Sequence, residues 1–287
     1  MPTALINGVN LYYEVHGEGF PLIWSHEFAG DCRSWKPQIK FFARRYRVIV
    51  YNARGYPPSD VPSDLDSYSQ EKAVEDLLGL LQHLGIGQAH IGGLSMGGNV
   101  ALNFGLAYPH MARSLIVAGT GTGSTDPELF RKRLDEFARC LETEGMAGLA
   151  EYTRGPQRVQ LLRKDPKGWQ EFADYFSEHS GVGSALTFRG IQGRRPPIFA
   201  LGEKLRALDV PTLIMVGDED DPCIEPSIFM KRCISRSGLV VFPQAGHTIN
   251  LEAPDLFNRT VLEFLTAVET GKWAKRDPGS TSGALMG

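Results

Sequence analysis

Cysteine is scarce in this 287-residue chain, and neither sign of charge is in marked excess. The four cysteines, Cys32, Cys140, Cys223 and Cys233, form no C-x-x-C pair. A disulfide framework at this size would use more, so they are expected as free thiols of a cytoplasmic protein. The seven histidines do not cluster with them at ligand spacing, which argues against zinc. Lysine and arginine total 30 against 33 acids, a net charge of −3. That balance gives no electrostatic hold on nucleic acid or an anionic membrane. No apolar run approaches the roughly 18 residues of a membrane span. The first residues, MPTALINGVNLYYE, lack the basic start and apolar stretch of a secretory signal. No internal repeat is visible.

What the chain does have is 42% hydrophobic residues, enough to bury a sizeable core, and this excludes a mostly disordered protein. Two β-rich runs flank Asn7-Gly8 over residues 3–16, which reads as a hairpin. Short apolar runs at 21–25, 45–53, 89–94, 112–119, 211–217 and 238–242 read as strands, the continuous ones buried on both faces. Helical stretches fall at 34–44, 69–84, 96–109, near 226–236, and at 253–272. Strands alternating with helices predict an α/β fold, a mostly parallel central sheet flanked by helices.

The alternation fails between 122 and 200. Helical pieces at 128–143 and 167–179 occur there without a convincing buried strand. This stretch is expected to be a mainly helical lid inserted into a core of residues 1–121 and 201–273. A Gly/Ser-rich tail, 274–287, is expected to be flexible.

Gly93-Leu94-Ser95-Met96-Gly97 is a G-x-S-x-G pentapeptide between a predicted strand and a predicted helix. That context puts Ser95 on a sharp turn, with small residues where strand and helix approach. A serine hydroxyl needs a base to take its proton, and a histidine oriented by a buried carboxylate suits that task. His247 follows the last strand and is the best placed. His16 lies in the hairpin, His83 and His110 at helix ends, His90 in or beside a strand, and His179 in the insertion. The carboxylate should also follow a strand, and Asp218-Glu219-Asp220-Asp221 comes directly after PTLIMVG. Four adjacent acids cannot all be buried, so one turns inward while the others stay solvated.

The order Ser, Asp, His, each after a strand, together with G-x-S-x-G, resembles the α/β-hydrolase superfamily over about residues 3–121 and 201–272. The resemblance implies Asp220 as the acid, with Asp218 and Asp221 as fallbacks. Gly246-His247, followed by Glu252 and Pro254, matches the family's histidine motif. The resemblance also implies an oxyanion hole made by the backbone N–H groups of Met96 and Phe28. Phe28 lies in His26-Glu27-Phe28-Ala29-Gly30, similar to the family's H-G-x-x-G, with Glu27 where glycine is usual. Glu27 is expected to face solvent or to pair with an arginine, and His26 to be a structural hydrogen-bonder. Arg54-Gly55-Tyr56-Pro57-Pro58-Ser59 resembles the family's R-G-x-G-x-S loop and is given a structural role.

These implications describe a serine hydrolase that cleaves a small to medium carboxylic ester or lactone through an acyl-enzyme on Ser95, with no cofactor or metal. The same three residues would serve a C–C bond hydrolase of β-diketone-like substrates, or a perhydrolase. A small-molecule receptor on this fold is the non-enzyme alternative, although the full set of three residues is kept. Trp169, Phe172 and Phe176 share one helix face. They read either as the lid's own core or as an apolar wall over Ser95 that binds an acyl or aryl group. The expected partner is a small-molecule substrate, not nucleic acid or membrane; the oligomeric state is left open.

Overall fold

The computed structural model describes residues 2–281. The strands are β1 (Thr3–Ile6), β2 (Val9–His16), β3 (Phe20–Ser25), β4 (Tyr46–Tyr51), β5 (Ala89–Leu94), β6 (Ala112–Ala118), β7 (Thr212–Gly217) and β8 (Ser237–Phe242). They form one eight-stranded sheet in the order β1-β2-β4-β3-β5-β6-β7-β8. The pairs β1/β2 and β2/β4 are antiparallel, and all pairs from β4/β3 to β7/β8 are parallel. The first hairpin turns at Asn7 (φ 48°) and Gly8 (φ 80°), the left-handed pair that a two-residue turn requires.

The helices are α1 (Lys36–Phe42), α2 (Gln70–His83), α3 (Met96–Ala107), α4 (Pro127–Glu144), α5 (Val159–Lys164), α6 (Pro166–Ser177), α7 (Gly181–Leu186), α8 (Gly202–Ala207), α9 (Asp221–Cys233), α10 (Ile249–Glu252) and α11 (Pro254–Glu269). The central strands are continuously apolar because both faces are covered. In β4, Val48 and Val50 point into a core with Trp24, Phe42 and Phe257, while Ile49 and Tyr51 point into one with Leu77, Val100 and Phe104. α1 and α11 thus cover one face, and α2 and α3 the other.

Two helix boundaries differ from the sequence reading. The helix expected near 226–236 starts at Asp221, because Pro222 occupies its first turn, where no backbone donor is needed. Pro226 lies inside it and forgoes one helical hydrogen bond. The closing helix expected at 253–272 is α11, which Pro254 opens and which ends at Glu269; the short α10 before it is separated from it by Ala253 (φ −142°, ψ 57°). Residues 122–200 carry α4 to α7 and short turns of tighter or wider helix, with no strand. Part of the expected tail is held: Arg276 N donates to Ser235 O at 2.8 Å, and Lys275 pairs with Asp209 at 3.0 Å. Residues 282–287 of that tail lie outside the described residues.

The parallel pairing places the carboxyl ends of β3, β5, β6, β7 and β8 along one edge of the sheet. Ligands of open α/β sheets bind there. Ser95 follows β5, Asp220 follows β7, His247 follows β8 and the His26–Gly30 loop follows β3.

Candidate active site

Ser95 adopts φ 56° and ψ −109°, a left-handed conformation that costs a non-glycine residue free energy. The turn is held by Ser95 N donating to Ala118 O at 2.8 Å. Its sharpness forces strand and helix together. A Cβ at Gly93 would lie 2.2 Å from the Gly97 carbonyl, and one at Gly97 would lie 2.0 Å from Ser25 O. No side chain fits at either position, which explains both glycines of the pentapeptide. Leu94 and Met96 are buried, while Ser95 between them stays partly open.

Of the three acids left open by the sequence, Asp220 is the one paired with His247. Its Oδ2 accepts a 2.7 Å hydrogen bond from His247 Nδ1, and both side chains are buried. Asp218 is exposed and accepts from Ala245 N at 3.0 Å, while Asp221 is exposed at the start of α9. Burial alone would raise the Asp220 pKa. The His247 charge, with hydrogen bonds from His247, Gln157 and Cys223, outweighs burial and holds the carboxyl below its ordinary range. Glu252 braces the His247 loop by accepting from Gly246 N at 2.6 Å and Thr248 N at 2.9 Å.

The loop after β3 is fixed through His26. Burial pushes its pKa down to about 4, so the ring is neutral at pH 7. Its Nε2 accepts from Ala53 N at 3.0 Å, so its Nδ1 carries the proton and donates to Glu27 O at 2.7 Å. Phe28 is buried, its carbonyl accepts from Tyr56 Oη at 3.0 Å, and its ring stacks on Phe188 at 3.8 Å. Arg54 forms a two-point pair with Asp76 at 2.6 and 2.7 Å and donates to Ser67 O, a structural role.

Glu27, the unusual residue of this loop, turns inward rather than to solvent. It pairs with Arg158 from the helical insertion, and the two side chains are 2% and 1% exposed. The guanidinium also lies over the rings of Phe172 (5.4 Å) and Tyr152 (5.8 Å). Burial opposes its charge, but Glu27, Tyr152, Glu252 and Asp220 together hold it protonated. Removing one partner of a buried pair strands the other charge. Glu27→Gln is therefore expected to cost about 3–5 kcal/mol in urea unfolding. The double replacement Glu27→Met with Arg158→Met, which leaves neither position polar, should recover most of it. A loss below about 1 kcal/mol for the single variant would contradict the pairing.

Gln157, one residue earlier, was invisible to sequence reasoning. Its Nε2 donates to Asp220 Oδ1 at 2.9 Å, and its carbonyl accepts from His247 N at 3.1 Å. It lies 63 and 90 residues from these partners in a short turn, Pro156–Arg158, with no motif to mark it.

The aromatic face of α6 is buried. Trp169 donates to Thr153 O at 2.7 Å and carries Arg154 at 4.5 Å, so it packs within the insertion. Phe172 lies under Arg158. Phe176 stacks on Tyr152 at 5.7 Å and meets Phe28 edge-on at 6.3 Å. Of the three, Phe176 is the one whose ring meets that of Phe28 in the loop after β3.

A second Ser–His–acid set occurs at the opposite edge of the sheet. His90 Nδ1 is 2.7 Å from Ser114 Oγ, and His90 Nε2 is 3.2 Å from Glu269 Oε1. Ser114 is fully buried, and burial pushes His90 down to about 3. The set thus offers neither a reachable nucleophile nor a usable base. A groove of about 1000 Å³ also lies away from Ser95, lined by residues such as Gln88, Tyr108, Arg113 and Arg236. Asp220, Cys223 and His247 bring three potential metal-ligand atoms within 4.8 Å of one another. Asp220 and His247 already bond each other, and burial pushes the Cys223 thiol well up, so it is a neutral thiol and a poor ligand. All four cysteines are free, and no helix among the described residues is long and apolar enough to cross a membrane.

The profile of the α/β hydrolase fold family matches residues 19–254. The chain is 27% identical to 3-oxoadipate enol-lactonase 1 of Acinetobacter baylyi, over 91% of this chain and 95% of that protein. Its fold is similar to a thermophilic esterase from Thermogutta terrifontis, with a TM-score of 0.83 and 30% identity over 93% of this chain and 98% of the other. The enol-lactonase from Burkholderia xenovorans LB400 gives a TM-score of 0.82 and 27% identity over 92% and 100%. With the family profile spanning most of the sequence, this chain belongs to the α/β-hydrolase family.

Proposed function

We propose that this hydrolase cleaves a small to medium carboxylic ester or lactone through an acyl-enzyme on Ser95. The observation that carries the reading is the 2.7 Å bond from His247 Nδ1 to Asp220. It commits one ring nitrogen to the carboxylate and leaves Nε2 as the base for Ser95. Ser95 Oγ attacks the scissile carbonyl as His247 takes its proton. The backbone N–H groups of Met96 and Phe28 receive the oxyanion. His247 then returns the proton to the departing alkoxide, and water repeats the sequence on the acyl group.

In this reading residues 122–200 are a lid over the carboxyl edge of the sheet. The relatives named as lactonase and esterase favour this substrate class. The acyl side is read as apolar and uncharged. Phe28, Tyr152, Phe176 and Phe188 gather at the loop after β3, and Arg158, which lies over the Tyr152 ring, is already neutralised by Glu27. A panel of p-nitrophenyl esters and lactones tests this. Turnover should favour uncharged apolar acyl groups over their carboxylate-bearing counterparts. Absence of turnover across the panel would overturn the proposal.

A further inference from the structure

We propose that Gln157 is a positioning residue that completes the Asp220–His247 pair only while its turn is docked, so that seating the insertion sets the strength of the base. The inference rests on the reading of Ser95, Asp220 and His247 as the catalytic set.

A carboxylate held at one oxygen can still rotate about its terminal bond. His247 occupies Oδ2 of Asp220, and Gln157 occupies Oδ1 at 2.9 Å, so the plane of the carboxylate is fixed from both sides. The Gln157 carbonyl also receives His247 N at 3.1 Å. A Cβ at Gly246 would sit 2.9 Å from that carbonyl, so the residue before His247 must be small for the turn to seat. One residue of the insertion thereby holds the acid by its side chain and the histidine by its backbone.

The next residue supplies the latch. Arg158 pairs with Glu27, directly before Phe28 in the loop that the mechanism uses for the oxyanion. Lifting the turn would break both sets of contacts together. The latch is not fully satisfied: Arg158 Nε and Nη1 and Glu27 Oε1 are buried without a hydrogen-bond partner among the described residues. Opening lets water reach these atoms, which lowers the cost of undocking. It also explains why a charged residue stands in the loop where the family usually has glycine.

The titratable and charged groups around Asp220 are His247, Cys223, Tyr152 and Arg158, with Glu252 against the His247 loop. Among them Gln157 adds a donor without adding charge. Removing it leaves more of the carboxylate's negative charge facing His247. That favours the protonated ring, so more alkaline solution is needed to free the base.

The test uses Gln157→Ala and Gln157→Met, the latter keeping volume while lacking the donor. Both should lower kcat by about tenfold to a hundredfold, because Asp220 loses one of its two anchors and holds the His247 ring less well. KM should change less than twofold, and the acid limb of the rate profile should move to higher pH. In an Asp220→Asn background, Gln157→Ala should add no further loss, because the effect runs through Asp220. Losses that simply multiply would assign Gln157 a general role in holding the insertion and overturn the inference. The His247 ring titration, followed by NMR in full-length Ser95→Ala protein, needs no turnover. It should move upward when Gln157→Ala is added, and an unchanged titration would overturn the inference. A moved titration in a protein that hydrolyses nothing would instead count against the proposed function alone.

Discussion

Replacing Ser95 by alanine is expected to lower kcat on the best ester by about 10⁴- to 10⁶-fold, because nucleophile, base and acid act as a unit. The fold should survive. Alanine inherits the same left-handed backbone at φ 56°, so the strain of the turn is neither relieved nor increased. Glycine would relieve it, so Ser95→Gly should be at least as stable as Ser95→Ala in thermal unfolding while equally inactive. A Ser95→Ala protein retaining more than a tenth of the parent kcat would remove Ser95 as the nucleophile.

Asp220→Asn should cost about 10⁴-fold in kcat, as loss of the orienting carboxylate does in serine enzymes of this kind. An amide NH₂ facing His247 Nδ1 forces the ring proton onto Nε2, where the base must be free. Asp218→Asn and Asp221→Asn test the choice among the acids, since both residues are exposed and neither pairs with His247. Each should keep kcat within a few-fold, and a crippled Asp218 or Asp221 variant beside an active Asp220→Asn would reverse the assignment. Asp220 also predicts how stability depends on pH. Its folded-state pKa lies below the unfolded one, so its contribution is present above the unfolded value of about 3.9 and is lost as pH falls through the folded value. The Asp220→Asn protein should therefore lose less stability on acidification than the parent.

Much of the fold is legible because the central strands are buried on both faces. A run such as YRVIVY has no polar alternation to confuse it with an edge strand, and its two faces feed two separate cores. Ser95 is legible because the turn demands glycine at 93 and 97, which leaves a fixed spacing. His247 is legible from its place after the last strand. The choice of Asp220 is not a property of spacing alone. It depends on α9 beginning at Asp221, and Pro222 in its first turn with Pro226 inside it conceals that start. Gln157 and Arg158 leave no trace because their partners lie far away in the chain, and no periodicity links one polar residue of a short turn to another loop. The face of Trp169, Phe172 and Phe176 shows the limit of amphipathic reading. Periodicity identifies a buried face, but only packing tells that Trp169 turns into the insertion while Phe176 reaches Phe28.

The most direct test of the central claim is to locate the covalent adduct formed with a fluorophosphonate, which reacts with an activated serine. Intact-protein mass spectrometry should show one equivalent of label, and peptide mapping should place it on Ser95. Labelling should disappear in Ser95→Ala and slow severely in Asp220→Asn. A protein that hydrolyses esters yet takes no label, or carries it on another residue, would contradict catalysis through Ser95.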